Sequence, residues 1–131
     1  MADINTILQE LDSGNAASGT FFCSYDVFRK IYDMEFRLQK RTGISNYVVL
    51  MTVSVENADL LGEAMEKVRT CIVSSLRESD MATECSDNQF LILLQVCDDE
   101  NAVRAIDRIV DKYNAQEDSI KADITYELHE Q

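Results

Sequence analysis

Residues 77–94 read RESDMATECSDNQFLILL, two strand-like segments separated by a polar turn. The segment MATEC (residues 81–85) is typical of a short strand, SDN is a turn, and QFLILLQVC (residues 89–97) is typical of a buried strand. Two strands joined by so short a turn form a β-hairpin. A β-hairpin beyond the middle of the chain is therefore the first element of the predicted fold.

A strand and a helix precede this hairpin, and a helix and a strand follow it. YVVLMTVSV (residues 47–55) is a continuous apolar run, which favours a strand covered on both faces, and a helix is expected from about Asp59 to Ser79. The later helix begins at Asp98 or Asp99, and SIKADITYELHE (residues 119–130) alternates as an outer strand does. The order βαββαβ predicts an α+β, ferredoxin-like fold whose first and third strands are central.

The N-terminal part adds two helices to this core. Residues 1–20 are predicted to form a short helix over 1–12 and a linker over 13–20, and the body of the domain begins near Phe21. Ser24 is a plausible N-cap for a helix that ends near Arg41, with Gly43 after it. Two apolar stripes run along this helix, one of them Val27, Ile31, Met34 and Leu38 and the other Tyr25, Phe28, Tyr32 and Phe36. Because so wide an apolar face exceeds the usual stripe, we expect contacts with both the core and a partner, and the aromatic stripe supplies the interface candidates.

The length and composition of the chain indicate one globular domain without a membrane segment. The chain has 131 residues, of which 46% are apolar and 27% charged, values that exclude the disordered class. A net charge of −12 opposes direct binding of nucleic acids and anionic membranes. No apolar run could span a bilayer and the N-terminus does not resemble a signal peptide, so we expect a cytoplasmic protein. The four cysteines match no zinc or redox spacing, which favours buried free thiols.

The hairpin region resembles the signature of GGDEF domains, the nucleotide-cyclase-like enzymes that make cyclic di-GMP. Their pattern is Arg-x-x-Asp, five residues, and then Gly-Gly-Asp/Glu-Glu-Phe before an apolar strand. Here Arg77 and Asp80 keep the first motif at the same distance from the second. The second motif is replaced by Ser86, Asp87, Asn88, Gln89 and Phe90. The resemblance covers roughly residues 21–128 and implies a degenerate GGDEF-like domain over residues 21–131.

A closer resemblance is to the GGDEF-like domains at the C-terminal end of bacterial regulators that carry a bacterial transcriptional activator domain. Those domains open with a segment similar to FFCSYDVFRKIYDMEFRLQKRTG (residues 21–43) and have Ser-x-x-Gln-aromatic at the signature, as in residues 86–90 here. The resemblance implies that this chain is one domain of a longer transcriptional regulator. Its expected partners are the other domains of that regulator or a second copy of the chain.

The positions that hold Mg²⁺ in active cyclases carry neutral residues in this chain. Cyclase chemistry needs carboxylate oxygens to bind two magnesium ions beside the triphosphate. The matching positions are Thr52, with Ser54 two residues later, and Asn88. The segment VENADLLGEAM (residues 55–65) is shortened and lacks the guanine-recognition motif of the family. We therefore expect no catalysis, no metal and no cofactor, and an active diguanylate cyclase is the third-ranked hypothesis.

The Arg-x-x-Asp motif is the second functional candidate. In active relatives this motif is an inhibitory site for cyclic di-GMP, so the resemblance implies that Arg77 and Asp80 bind that ligand. The alternative, which the sequence favours, is that Arg77 closes a helix C-terminus and pairs with Asp80 at the surface. An interaction module thus ranks first and a small-ligand receptor second.

Overall fold

The computed structural model describes residues 3–13, 21–95, 97–116 and 120–131. Within these residues it has five strands, namely β1 (Phe21–Phe22), β2 (Tyr47–Val55), β3 (Met81–Ser86), β4 (Gln89–Leu94) and β5 (Ala122–Glu130). They form one mixed sheet in the order β1-β3-β4-β2-β5. The central positions of β2 and β4 confirm the prediction that the first and third predicted strands lie in the middle of the sheet. The strand β5 confirms the predicted alternation, since from Ala122 to Leu128 its even-numbered residues are half-buried and its odd-numbered residues exposed.

The described residues also contain four α-helices, α1 (Ile4–Ser13), α2 (Tyr25–Thr42), α3 (Leu61–Ser75) and α4 (Asp99–Asn114), and a 3-10 turn at Ala58–Leu60. Local capping explains where two of them begin and end. The Ser24 hydroxyl accepts from the backbone N–H of Val27, and Gly43 ends α2 with a positive φ of 71°. At the start of α4, the Asp98 carboxylate accepts from the N–H of Asn101 at 2.8 Å. The predicted caps of α2 are confirmed, and Asp98 is the N-cap of α4.

Helices cover the two faces of the sheet unequally. The larger core lies between the sheet and the helices α3 and α4 and includes Val49, Met51, Phe90 and Ile106. On the other face, Phe28 of α2 packs with Met81 and Leu93 in a smaller cluster. The outer strand β5 packs by its half-buried side chains against the larger core alone. The α+β architecture with an added N-terminal helix is therefore as predicted.

The strand β1 was not predicted. Its two residues pair in parallel with Met81 and Ala82 at the edge of the sheet. The N–H of Phe21 donates to the carbonyl of Asp80 at 3.1 Å, and the N–H of Cys23 donates to that of Ala82 at 3.0 Å. Two residues are too short for a periodicity to be visible in sequence, and only the exposed edge of β3 makes them a strand.

The helix α3 ends earlier than predicted, at Ser75 rather than at Ser79. Leu76 has left the helix, with φ −99° and ψ 166°. The N–H of Arg77 then donates to the Asp80 side chain at 3.0 Å, so a local turn replaces the next helical turn. Arg77 therefore lies just after the C-cap and not within the helix, and it pairs with Asp80 as the alternative predicted, although Asp80 is buried and not at the surface. The strand β4 likewise ends at Leu94, before the predicted Cys97, and residue 96 lies outside the described residues.

The exposed side of α2 differs from the aromatic stripe proposed as an interface. Phe28 is only 2% exposed and belongs to the core, so its assignment as an interface residue is wrong. Tyr25 is exposed, and Tyr32 and Phe36 are half-buried. The most exposed apolar residues of this helix belong to the other stripe, since Met34 is 68% exposed.

The cysteines are free, and Cys71 is fully buried as expected. Cys23, Cys85 and Cys97 are half-buried, so the expectation of buried thiols holds for one of the four. No helix among the described residues has the length and hydropathy needed to cross a bilayer. Most of the predicted linker, residues 14–20, lies outside the described residues.

Candidate functional site

The hairpin between β3 and β4 brings Thr52 and the degenerate signature together. Thr52 of β2 is paired in register with Gln89, the first residue of β4. The N–H of Val53 donates to the carbonyl of Asn88 at 2.8 Å, so the turn lies against the end of β2. Because Met51 and Val53 point into the larger core, the alternation of the strand places Thr52 on the opposite face. The two positions that carry metal ligands in the family are thus neighbours in this chain.

Neutral side chains bond to one another at this place, and we call them the hairpin network. The Gln89 amide donates to the Thr52 hydroxyl at 3.2 Å. The Ser86 hydroxyl lies 2.9 Å from the Gln89 side-chain oxygen and 3.3 Å from that of Asn88. These groups satisfy each other without a charge, and none of them supplies the carboxylate oxygens that Mg²⁺ prefers.

Two other signature positions have different environments. Asp87 is exposed at the tip of the turn. Phe90 is fully buried and packs edge-on against Phe22, with ring centroids 6.2 Å apart. The signature aromatic therefore anchors the hairpin to the core. Among the described residues no group of three or more acidic, histidine or cysteine side chains is arranged to hold a metal ion.

The Arg-x-x-Asp motif lies at the other end of β3, in the turn after α3. The Asp80 carboxylate is 2% exposed and accepts four hydrogen bonds. One oxygen accepts from the backbone N–H of Arg77 at 3.0 Å and from its Nε at 3.4 Å. The other accepts from Arg77 Nη2 at 3.3 Å and from the N–H of Gln95 at 3.2 Å. Asp80 thus joins the turn to the end of β4, and a ligand would have to displace one of these donors to bond to it.

The Arg77 side chain remains accessible and faces a cleft of about 380 Å³ between α3 and α4. Its guanidinium also donates to the carbonyl of Gln95. Two further arginines, Arg104 and Arg108 of α4, line the same cleft, which we call the arginine cleft. Three of the twelve cations of this acidic chain therefore surround one concave surface. Such a concentration of guanidinium groups favours a ligand that carries phosphate groups.

The polar groups of the arginine cleft are only partly paired within the protein. Arg104 forms a 2.7 Å ion pair with Glu100, and both side chains are exposed. Arg108 has no ion-pair partner among the described residues. The buried Ser75 hydroxyl, which also belongs to the lining, has no hydrogen-bond partner within the described part of the chain. Burial raises the pKa of the neighbouring Cys97 thiol, while Arg77 opposes this shift, so the thiol stays neutral near pH 7.

Sequence motifs identify one side of the arginine cleft but not the other. Arg77 and Asp80 were identified by motif, whereas Arg104, Arg108 and Asn101 come from α4. Their spacing of three and four residues on one helical face was the available signal. Only the packing of α4 beside α3 shows that this face lies opposite Arg77.

Comparison with known proteins supports the fold at low sequence identity. No protein-family model and no curated protein matches this chain. The structure of a DGC protein from Thermotoga maritima matches with a TM-score of 0.69 at 15% identity, covering 86% of this chain and 83% of that one. The GGDEF domain of DgcB from Caulobacter crescentus, solved with c-di-GMP, matches at 0.73 and 8% identity over 86% and 72% of the two chains.

A third match extends further along this chain. The diguanylate cyclase SiaD from Pseudomonas aeruginosa, solved with its activator SiaC, has a TM-score of 0.77 at 14% identity. The match covers 97% of this chain and 55% of SiaD, so the present chain spans about half of that enzyme. Together with the strand order and the hairpin geometry, these likenesses show that the chain has a GGDEF-like fold.

Proposed function

We propose that this chain is a non-catalytic regulatory domain with a GGDEF-like fold that belongs to a bacterial transcriptional regulator. The hairpin network is the observation that supports the loss of catalysis. Thr52 and Asn88 occupy the positions where the family has metal-binding carboxylates, and their oxygens have no negative charge to offset two magnesium ions and a triphosphate. Such a domain acts by dimerisation or by contact with other domains of its regulator.

The experiment is a magnesium-dependent turnover assay with GTP, run beside an active diguanylate cyclase. We expect no cyclic di-GMP above the background of a reaction without protein. Formation of the product at even a thousandth of the rate of the active enzyme would contradict the proposal. The assignment to a regulator rests on the resemblance of residues 21–43 and 86–90, and a helix-turn-helix encoded in the same open reading frame would support it.

The arginine cleft favours a second function, the binding of cyclic di-GMP or of another phosphate-bearing nucleotide. Arg77, Arg104 and Arg108 converge on one concave surface of an otherwise acidic chain. Guanidinium groups bind phosphate oxygens in pairs of hydrogen bonds and also stack on bases. In this mode Asp80 holds Arg77 in place instead of bonding to the ligand, because its four hydrogen bonds are already made within the chain.

Calorimetry separates the two functions. A receptor gives saturable heat with cyclic di-GMP at micromolar concentrations, whereas a pure interaction module gives none up to the high micromolar range. Inorganic phosphate and GTP, titrated separately, show whether the cleft distinguishes the cyclic dinucleotide from a simple anion. Equal affinity for all three would reduce the arginine cleft to a nonspecific anion site and contradict the receptor function.

A further inference from the structure

The helix α1 has an apolar face without a partner in the described structure. We call this face the α1 seam. Its members, with their exposed fractions, are Ile4 (65%), Ile7 (41%), Leu8 (45%) and Leu11 (65%). Their spacing of three and four residues places them on one side of the helix. A helix of ten residues is marginal in water without a packing partner, so this face needs to be covered.

A second apolar row lies along α2, beside the side that faces the sheet, and we call it the α2 seam. It consists of Val27, Ile31, Met34 and Leu38, which follow one another at intervals of four, three and four residues. Val27, Met34 and Leu38 are 40%, 68% and 51% exposed, and Ile31 is half-buried. This is the heptad-type spacing by which two helices pack side by side. Ile31 packs against the cluster of Phe28, Met81 and Leu93, so Val27, Met34 and Leu38 are the members of this row that remain exposed.

The α1 seam is short enough to lie along the α2 seam, and the two helices have opposite net charge. Ile4 and Leu11 are seven residues apart and Val27 and Leu38 eleven, so the α1 seam is roughly 10 Å long and the α2 seam roughly 17 Å. Residues 3–13 contain three carboxylates and no cation, while α2 contains five cations and three carboxylates. Lys30 and Arg41 lie beside the α2 seam, four residues before Met34 and three after Leu38, and Glu10 lies three residues after Ile7. An acidic apolar helix thus complements a basic apolar one.

We propose that these surfaces form a homodimer in which α1 of each copy docks along the α2 seam of the other. In the structure α1 leaves both seams exposed, so the complement comes from a second copy. A reciprocal exchange covers two α1 seams and two α2 seams. At roughly 300 Å² for each of these four surfaces, the dimer buries on the order of 1,200 Å², which is enough for a specific interface. A single docking within one chain would bury half of that area. The inference rests on the interaction role proposed above and names its partner and surface.

Disulfide trapping tests which copy supplies the helix. Leu8 and Met34 lie near the middle of their seams, so they come close whether the paired helices run parallel or antiparallel. Copies carrying Leu8→Cys are mixed with copies carrying Met34→Cys under mild oxidation, with the wild-type chain as the background for the native cysteines. A cross-linked heterodimer of the two variants supports the proposal. Cross-linking of Leu8→Cys copies with each other indicates pairing of α1 with α1, and cross-linking within a monomeric double variant indicates closure inside one chain; either result overturns it.

Light scattering at several protein concentrations gives an independent measurement. We expect the wild-type chain to be a dimer, and Leu8→Glu or Met34→Glu to raise its dissociation constant at least tenfold. Gln9→Glu, which adds the same charge on the opposite side of α1, and Met34→Leu, which keeps the seam apolar, should leave the dimer intact. A wild-type monomer at all concentrations overturns the proposal, as does a dimer that both seam variants leave unchanged. A chain that dimerises through the seams but makes cyclic di-GMP would contradict the non-catalytic function alone.

Discussion

The Arg77 guanidinium and the Asp80 carboxylate form an ion pair at 3.3 Å in which the arginine is 57% exposed and the aspartate only 2%. This asymmetry separates two roles within one short motif. Asp80 is an internal connector between the turn after α3 and the end of β4, through its bonds to the backbone of Arg77 and Gln95. Arg77 keeps one side toward the arginine cleft, where it is available to a ligand.

The asymmetry predicts unequal effects on stability. Asp80→Ala removes a buried acceptor and leaves two backbone N–H groups without their partner, so we expect a loss of about 3 kcal/mol in the free energy of unfolding. Arg77→Ala removes a half-exposed group and leaves the buried Asp80 carboxylate with both backbone donors but without its counter-charge, so the loss should be smaller, about 1 to 2 kcal/mol. Urea unfolding measured by circular dichroism gives both values. Equal losses for the two variants would mean that Asp80 contributes to the free energy of unfolding only through its ion pair with Arg77.

The arginine cleft predicts that ligand affinity can be lost without loss of stability. Under the receptor function, Arg108→Ala should weaken the binding of cyclic di-GMP about tenfold or more, which corresponds to roughly 1.4 kcal/mol. The unfolding midpoint should not change, because Arg108 is exposed and unpaired among the described residues. Lys121→Ala is the matched control, since this exposed cation lies outside the arginine cleft and its loss changes the net charge equally. If both variants weaken binding to the same extent, the attraction is a property of the overall charge and not of the cleft.

Gly43 and Gly62 predict opposite effects of the same substitution. Gly43 has a φ of 71°, and no atom lies within 4 Å of the position that an alanine methyl group would take, so Gly43→Ala should cost about 1 kcal/mol through backbone strain alone. Gly62 lies in the first turn of α3 with equally open surroundings, so Gly62→Ala should stabilise the chain by about 0.5 to 1 kcal/mol. Thermal and urea unfolding of the two variants measure both shifts. A stabilising Gly43→Ala would contradict the left-handed end of α2.

Alkaline pH should destabilise the fold. Burial raises the pKa of the Cys71 thiol above its usual 9.0 and that of the Tyr113 phenol above its usual 10.0. The unfolded chain therefore loses these protons first, and the stability that is complete below about pH 9 falls as the pH rises through the raised values. Under reducing conditions, the urea midpoint should be lower at about pH 10.5 than at pH 8.

Tyr113→Phe is the control for this pH dependence. The Tyr113 hydroxyl donates to the carbonyl of Ile120, so the variant should lose about 1 kcal/mol at pH 8. It should also show a smaller drop between pH 8 and pH 10.5, because one of the titrating groups is gone. An unchanged midpoint of the wild-type chain across this range would contradict the raised pKa values.

Periodicity and capping in the sequence were sufficient for the secondary structure of the core. A strand buried on one face alternates apolar and polar residues, as from Ile120 to Leu128. A strand buried on both faces is a continuous apolar run, as from Tyr47 to Val55, so the burial of both strands can be predicted from the local sequence. The two-residue strand β1 and the early end of α3 were missed, because each depends on a distant or tertiary partner. The edge of β3 is the pairing partner that makes β1 a strand, and the bonds of Asp80 to Arg77 and Gln95 hold the turn that ends α3.

Side-chain pattern and residue identity are enough to predict the βαββαβ order, the central strands and the neutral residues at the hairpin. Packing between distant parts of the chain determines which side of α2 is exposed, buries Phe28, and brings Arg104 and Arg108 to the cleft that Arg77 also lines. Helical spacing defines which residues share a face, whereas the direction of that face is set by packing against elements far away in the chain.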